Sequence, residues 1–279
     1  MNDMNVFARH NVRSQGAGAT TLLFVHGFGC DQAMWRFVAP EFAAQHRVVT
    51  FDLVGHGGTD SSLYDEARHG SLHGYADDVL EVVHALNAER LIVVAHSVSA
   101  TIALLAAARE PDRFERLVLV APSPCYVNHP PDYIGGFERE DLEDMLETMA
   151  KNYTSWAGAL APAIVGNADR PEYAKELETS FCAIDPVVAH RFASVTFLSD
   201  HRDDLRAVRT PSLILQCQDD MIAPDTVGDF LSEQLPHSTL YRMAATGHCP
   251  HLTHPTETVS AIRKYLASAP GVPLPLGGR

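Results

Sequence analysis

The segment Leu91–Ala108, LIVVAHSVSATIALLAAA, constrains the fold more than any other part of the chain. Leu91–Ala95 is a short run of apolar, largely β-preferring residues and reads as a buried strand. Ala100–Ala108, rich in Ala and Leu and stopped at Glu110-Pro111, reads as a helix. Between them His96-Ser97-Val98 leaves almost no chain in which to turn. A serine pinned between a buried strand and the helix leaving it matches a nucleophile elbow, where a strained turn pushes Oγ out above a sheet. Small residues are wanted two places either side of such a serine, because the two backbones nearly touch. The usual G-x-S-x-G becomes Ala95-x-Ser97-x-Ser99, degenerate but small at both flanks. A serine after an apolar run is more often a plain helix cap, so the elbow needs partners elsewhere in the chain.

Strand-like and helix-like stretches alternate around it. TLLFV (21–25), RVVTF (47–51), LVLVA (117–121), SLILQ (212–216) and Ser238–Met243 read as strands, and residues 5–12 as an opening edge strand. Ser71 is placed to cap a helix whose Leu72, Tyr75, Val79, Val82 and Leu86 form one apolar stripe. A last helix carries Val259, Ile262 and Leu266. Crossovers of this length imply an α/β fold with a mostly parallel, doubly wound sheet. From Pro122 to Ser212 the rhythm changes and four helices are expected. They carry Leu142/Met145/Leu146/Met149, Tyr153/Trp156/Leu160, Tyr173/Leu177/Phe181 and, opened by Asp185-Pro186, Val188/Phe192/Val195. A helical insertion after the strand at 117–121 reads as a cap over the carboxyl edge of the sheet, where such sheets bind ligands. The expected division is core 1–122, cap 123–205, core 206–268 and a disordered Pro/Gly-rich tail 269–279.

Composition narrows the function. A formal charge of −14 on 279 residues, with no basic cluster, argues against nucleic acid and anionic membrane surfaces. The polar start and the lack of a ~20-residue apolar run argue against a signal peptide or a membrane span. Five widely spaced cysteines favour free thiols and a cytoplasmic setting. No cofactor is implied: the glycines after Asp52 lack both G-x-G-x-x-G and G-K-[ST] spacing and read as a turn. No metal is implied either. His248, His251 and His254 cannot share one helical face, and Pro250 and Pro255 break the segment.

Ser97, then Asp219 or Asp220, then His248 each follow a strand, in the order Ser…Asp…His. The chemistry needs all three: an imidazole to take the hydroxyl proton, and a buried carboxylate to fix the tautomer and stabilise the imidazolium. His26-Gly27-Phe28-Gly29 reads either as an ordinary turn or as half of an oxyanion hole built from the amides of Phe28 and Val98. Trp156, Phe192 and Phe197 on the cap suit core packing or the walls of an apolar pocket equally well.

The stretches FVHGFGCDQAMW, GYADDVLEVVHAL, PSPCYVN, PPDYIGGFE, FLSDHRDDL, LILQCQDDMIAP and GHCPHLTHP resemble the RsbQ-like α/β-hydrolases. These are bacterial stress-signalling hydrolases related to the plant strigolactone and karrikin receptors. The resemblance spans about residues 5 to 266. It implies an α/β-hydrolase core under a V-shaped four-helix cap with a deep hydrophobic pocket. It assigns Ser97 as nucleophile, Asp220 rather than Asp219 as the orienting acid, His248 as base, and the Phe28 and Val98 amides as oxyanion donors. Phe137, Trp156 and Phe197 would line the pocket. The implied activity is hydrolysis of a small hydrophobic, butenolide-like ester or lactone through an acyl-serine, coupled to signalling through a partner such as a PAS-domain phosphatase. One alternative is a slow-turnover sensor acting mainly through that partner. Another is a C–C bond hydrolase, which would need cap cations such as Arg139, Lys151, Arg170, Lys175 or Arg191 for a substrate carboxylate.

Overall fold

The computed structural model describes residues 3–268, so the expected tail at 269–279 lies outside the described residues. One sheet is built from β1 (Arg13–Gln15), β2 (Thr20–Val25), β3 (Arg47–Phe51), β4 (Arg90–His96), β5 (Arg116–Val120), β6 (Ser212–Gln218) and β7 (Ser238–Thr246). Their spatial order is β1-β3-β2-β4-β5-β6-β7. Only β1 runs antiparallel to its neighbour. Both faces of the central strands are covered. Leu23, Val25, Val93, Ala95, Leu117 and Leu119 face one apolar cluster, and Leu22, Phe24, Ile92, Val94, Val118 and Val120 face the other. Continuous apolar runs, with no polar alternation, are what a doubly covered parallel sheet requires.

The opening segment corrects the sequence reading. Asp3–Arg9 is a helix, α1, and the edge strand is β1, which the sequence pattern did not mark because all three of its residues are exposed. Val6 and His10, one helical turn apart, are both buried, and that spacing is what lets α1 pack. It packs on α3 (Leu72–Leu86), which follows the short α2 (Glu66–His69). Ser71 does stand at the N-cap of α3, but its hydroxyl bonds no helix amide, so the expected side-chain cap is absent there. The elbow helix α4 (Val98–Arg109) is buried from Val98 to Ala107, which explains its all-apolar composition.

Four helices separate β5 from β6: α5 (Arg139–Lys151), α6 (Tyr153–Val165), α7 (Pro171–Cys182) and α8 (Pro186–Leu198). On α5, Leu142, Leu146 and Met149 turn inward while the acidic residues stay in solvent. Asp185 caps α8 by accepting from the Val187 and Val188 amides, with Pro186 at the first helical position. The core closes with α9 (Asp225–Gln234), α10 (Pro250–Thr253) and α11 (Pro255–Ala267), and α11 buries Val259, Ile262 and Tyr265 under the sheet. Among the described residues, no single helix is long and apolar enough to cross a membrane. All five cysteines are free thiols.

Candidate active site

Strand β4 ends at His96 and α4 begins at Val98, which leaves Ser97 alone to make the turn. Its backbone is held at φ 57° and ψ −127°, a region that side-chain-bearing residues avoid and that marks stored strain. The strain is locked in from both sides. The Ser97 N–H donates to the Val120 carbonyl on β5, and the Ser97 carbonyl accepts from Ala100. Oγ then points at Nε2 of His248, 2.7 Å away, while Nδ1 of His248 lies 2.8 Å from Oδ2 of Asp220. All three side chains are buried.

The register after β6 decides between the two aspartates. Asp220 turns inward: Oδ2 faces the imidazole, and Oδ1 accepts from the Ile222 and Ala223 amides at 2.9 and 3.1 Å. Either aspartate stands close enough in sequence to compete for these loop amides. The structure assigns them to Asp220 and leaves Asp219 exposed at φ 49°. The orienting carboxylate is therefore held at both oxygens.

His248 is held through its backbone as well. Its carbonyl accepts from Nε2 of His96 at 2.8 Å, and its N–H donates to the Ile164 carbonyl on α6 at 2.9 Å. The preceding Gly247 has φ 77°, and a Cβ there would lie 2.1 Å from the Val165 carbonyl. Only glycine lets the histidine loop pass this close to the cap. Nδ2 of Asn167 fastens the same junction by donating to the Val165 and Thr246 carbonyls.

The turn after β2 lies directly against the elbow. A Cβ on Gly27 would stand 3.2 Å from the Ser97 Cβ, and one on Gly29, at φ 71°, would enter the Phe181 ring. Ser99 turns out to fasten this turn: its hydroxyl donates to the His26 carbonyl at 2.5 Å. Its place in the degenerate motif is thus a buried hydrogen bond as well as a small residue. The His26 ring donates from Nδ1 to the Gly27 carbonyl and accepts the Leu53 amide at Nε2. Phe28 thereby lines the same cavity as Ser97, and the N–H of Val98, as the first of α4, has no intrahelical partner. The glycines after Asp52 form a turn around that carboxylate, which accepts from Gln32, Asn11 and Gly58.

A narrow cavity with a free volume of about 20 Å³ opens over Ser97 and His248. Phe28, Tyr126, Leu177, Phe181, Thr196 and Phe197 form much of its wall. Of the three expected pocket residues, only Phe197 lines it. Trp156 sits one layer behind, edge-on to Phe28 at 6.3 Å and tilted against Phe181 at 5.3 Å. Phe137 braces the Tyr126 segment from outside through its N–H to the Tyr126 carbonyl. The sequence reading missed Tyr126, whose hydroxyl stands 3.4 Å from Ser97 Oγ; burial keeps that phenol protonated. Cys30 and Cys249 also line the cavity, but burial drives both thiols well above their usual range, so neither is a thiolate nucleophile.

His248, His251 and His254 do not converge on a metal. His251 lies tilted against Trp35, ring centroids 4.7 Å apart, and Nδ1 of His254 faces the Thr253 hydroxyl. Elsewhere His73/His201/Asp204, Cys125/His129/Asp200 and His10/Asp78/Glu81 bring potential ligand atoms within 4.8 Å of one another. Protein partners already engage these groups, with Arg68 on Asp78, Arg202 on Asp200 and His201 on Asp204.

A serine–imidazole–carboxylate relay at the carboxyl edge of a parallel sheet, under a helical insertion, defines a class, and comparison with known proteins gives the same answer. The description alpha/beta hydrolase fold matches residues 20–255. A hydrolase from Oleispira antarctica superposes with a TM-score of 0.94 at 42% identity, covering 96% of this chain and 98% of that one. A probable esterase of Oryza sativa subsp. japonica is 36% identical over 259 residues, 92% of this chain and 95% of the relative. Karrikin insensitive 2 receptor CA of Petunia hybrida is 34% identical over 258 residues, with 92% and 95% covered. The chain belongs to the α/β-hydrolase fold family.

Proposed function

We propose that this hydrolase cleaves compact, apolar carboxylic esters or lactones through an acyl-serine on Ser97. The carrying observation is the continuous contact from Ser97 Oγ through His248 to Asp220, opening on an apolar cavity. In this reading His248 Nε2 takes the hydroxyl proton as Oγ attacks the carbonyl carbon. Asp220 keeps Nδ1 protonated and stabilises the imidazolium. The Phe28 and Val98 amides receive the oxyanion, and the imidazolium returns its proton to the departing alcohol. Water, activated by the same imidazole, then frees the acid. The cavity is small, so Leu177, Phe181 and Phe197 on the cap move aside to admit the acyl group. The relatives whose names call them a hydrolase and a probable esterase support the assignment.

The cap cations speak against the C–C bond hydrolase reading. Arg139, Lys151, Lys175 and Arg191 pair with Glu143, Glu147, Glu178 and Glu66, Arg170 bonds the Thr253 carbonyl, and none lines the cavity. A substrate carboxylate would meet no cation there. The signalling reading keeps a specific support, the Ile164–His248 hydrogen bond, which joins the histidine loop directly to the cap. In that reading a partner, such as a PAS-domain phosphatase, engages the cap surface; the receptor among the relatives agrees with it.

The test is Ser97→Ala. Wild type is expected to hydrolyse p-nitrophenyl acetate and to be labelled by a fluorophosphonate, and the variant to do neither at an unchanged Tm. Full labelling of the variant would remove Ser97 from the mechanism. Turnover with and without a candidate partner separates enzyme from sensor.

A further inference from the structure

The polar groups around the cavity are accounted for, with two exceptions among the described residues. Ser97, His248 and Tyr126 engage one another. His96 gives Nε2 to the His248 carbonyl, and its Nδ1, the first exception, is unpartnered but lies against Gly27 in the turn after β2. Thr196 is the second, and the one on the cap. It stands on α8 in the cavity wall, 2% exposed, and its Oγ1 is buried with no hydrogen-bond partner. A threonine or serine within a helix ordinarily returns its hydroxyl to the carbonyl four residues back. Ser194 on the same helix does so, donating to His190. An unpaired buried hydroxyl lowers stability, and a valine would fill the same space without that loss.

We propose that Thr196 is a specificity group, donating to an oxygen on the substrate's acyl portion, so that the favoured substrates are compact oxygenated acyl esters or lactones. The proposal rests on the ester-hydrolase reading of Ser97. The acyl portion is singled out because it remains in the cavity, bonded to Ser97, after the alcohol has left. Every other wall residue on the four cap helices, Ile164, Leu177, Phe181 and Phe197, is apolar. An oxygen entering against the cap has Thr196 as its donor there, and a purely hydrocarbon acyl group leaves the hydroxyl unpaired. Leaving a buried partner unpaired is how a site rejects an analogue lacking the polar atom.

The experiment compares 4-nitrophenyl methoxyacetate with butyrate, and 3-methoxypropionate with pentanoate. Each pair exchanges one ether oxygen for a methylene. The kcat/KM ratio within each pair is measured for wild type and Thr196→Val, and dividing the two ratios cancels the intrinsic reactivity of the esters. The oxygenated ester is expected to lose about 3- to 10-fold in relative kcat/KM in the variant for at least one pair, the worth of one neutral hydrogen bond. Thr196→Ser, which keeps the hydroxyl, is expected to retain the wild-type ratio. The Tm of Thr196→Val is expected to hold or rise, whereas a merely structural threonine would lower it. Thr196→Ala gives the same reading should the valine variant not fold. Unchanged ratios for both pairs, with turnover intact, overturn the Thr196 assignment alone. Absence of turnover by the wild type on all four esters overturns the ester-hydrolase reading and this one with it.

Discussion

Mild acid is expected to destabilise this protein through histidines that take no part in proton transfer to substrate. His56 and His251 are enclosed in the fold, and burial, reinforced by His26 beside the first and His248 beside the second, lowers each from 6.5 to about 3. The unfolded chain binds a proton at each near pH 6.5, the folded chain only near pH 3. Between those values the unfolded state holds more protons. Stability is therefore intact above pH 6.5 and is lost as the pH falls toward 3. Each histidine contributes about 1.4 kcal/mol per pH unit, so the pair contributes about 3 kcal/mol per unit. Against a total of about 5–15 kcal/mol, two or three units remove about 6–9 kcal/mol, a large part of the whole. Burial lowers His26 and His96 too, which acts in the same direction. Thermal unfolding at pH 7.5, 6.5, 5.5 and 4.5 and constant ionic strength is expected to show Tm falling by about 6–12 °C per unit below pH 6.5. His251→Leu, which cannot titrate, is expected to lose about half of the two-histidine slope whatever its stability at neutral pH. A flat profile down to pH 4.5, or a slope indifferent to His251→Leu, would refute the reasoning.

Four substitutions test the site's construction. Asp220→Asn is expected to cut kcat by about 10⁴ by presenting an amide to His248 Nδ1 and so selecting the wrong tautomer, whereas Asp219→Asn, exposed and in a left-handed turn that Asn tolerates, stays within about 0.5 kcal/mol of wild type and keeps its activity; steady-state kinetics on both decides. Ser99→Ala is expected to cost about 1–3 kcal/mol, because the His26 carbonyl is left buried and unpaired, and to lower kcat more than KM as the Phe28 amide loses its anchor; unaltered Tm and kcat would show that this bond is dispensable. Gly29→Ala combines a positive φ with a Cβ inside the Phe181 ring, so a loss of about 2–4 kcal/mol by urea unfolding is expected.

The parts of the fold that the sequence revealed are those where a period or a chain break admits one solution. The apolar runs at 21–25, 91–95 and 117–121 fit only doubly covered strands, and the gap between β4 and α4 leaves room for one residue at the turn. The opening segment was ambiguous, because Val6, His10 and Val12 sit in so short a stretch that helical and strand spacing fit nearly as well. Tertiary packing of α1 on α3 decided it. Ser71 illustrates a cap signal that is correctly placed yet makes no side-chain bond. At the site, Ser97, His248 and the Asp219–Asp220 pair are legible because each follows a strand end, whereas the choice of Asp220 within the pair rests on the family resemblance. The wall is not. Inward-facing aromatics show which side of a helix is buried, but the depth of Trp156 behind Phe28 depends on how helices of both lobes nest. Tyr126 and Thr196 carry no periodic signal, since one lies in an irregular Pro-rich bend and the other is a lone hydroxyl among apolar neighbours.

The hydrogen bond from the His248 amide to the Ile164 carbonyl bears on engineering. Caps of such enzymes invite treatment as interchangeable modules, to be trimmed, swapped or grafted for new substrates. Here the proposed general base, His248, hangs partly from the part that would be exchanged. A core stripped of α5–α8 would lose the acceptor for the His248 amide and, with Asn167, the clasp on the Thr246 carbonyl, so uncovering the site would also loosen its base. A transplanted lid would have to reproduce a helix end with a free carbonyl opposite residue 248 and no side chain where Gly166 faces Gly247. Exchange of the cap is thus an edit to the catalytic centre, and the natural cut points lie on either side of the 164–167 junction, which stays with the core.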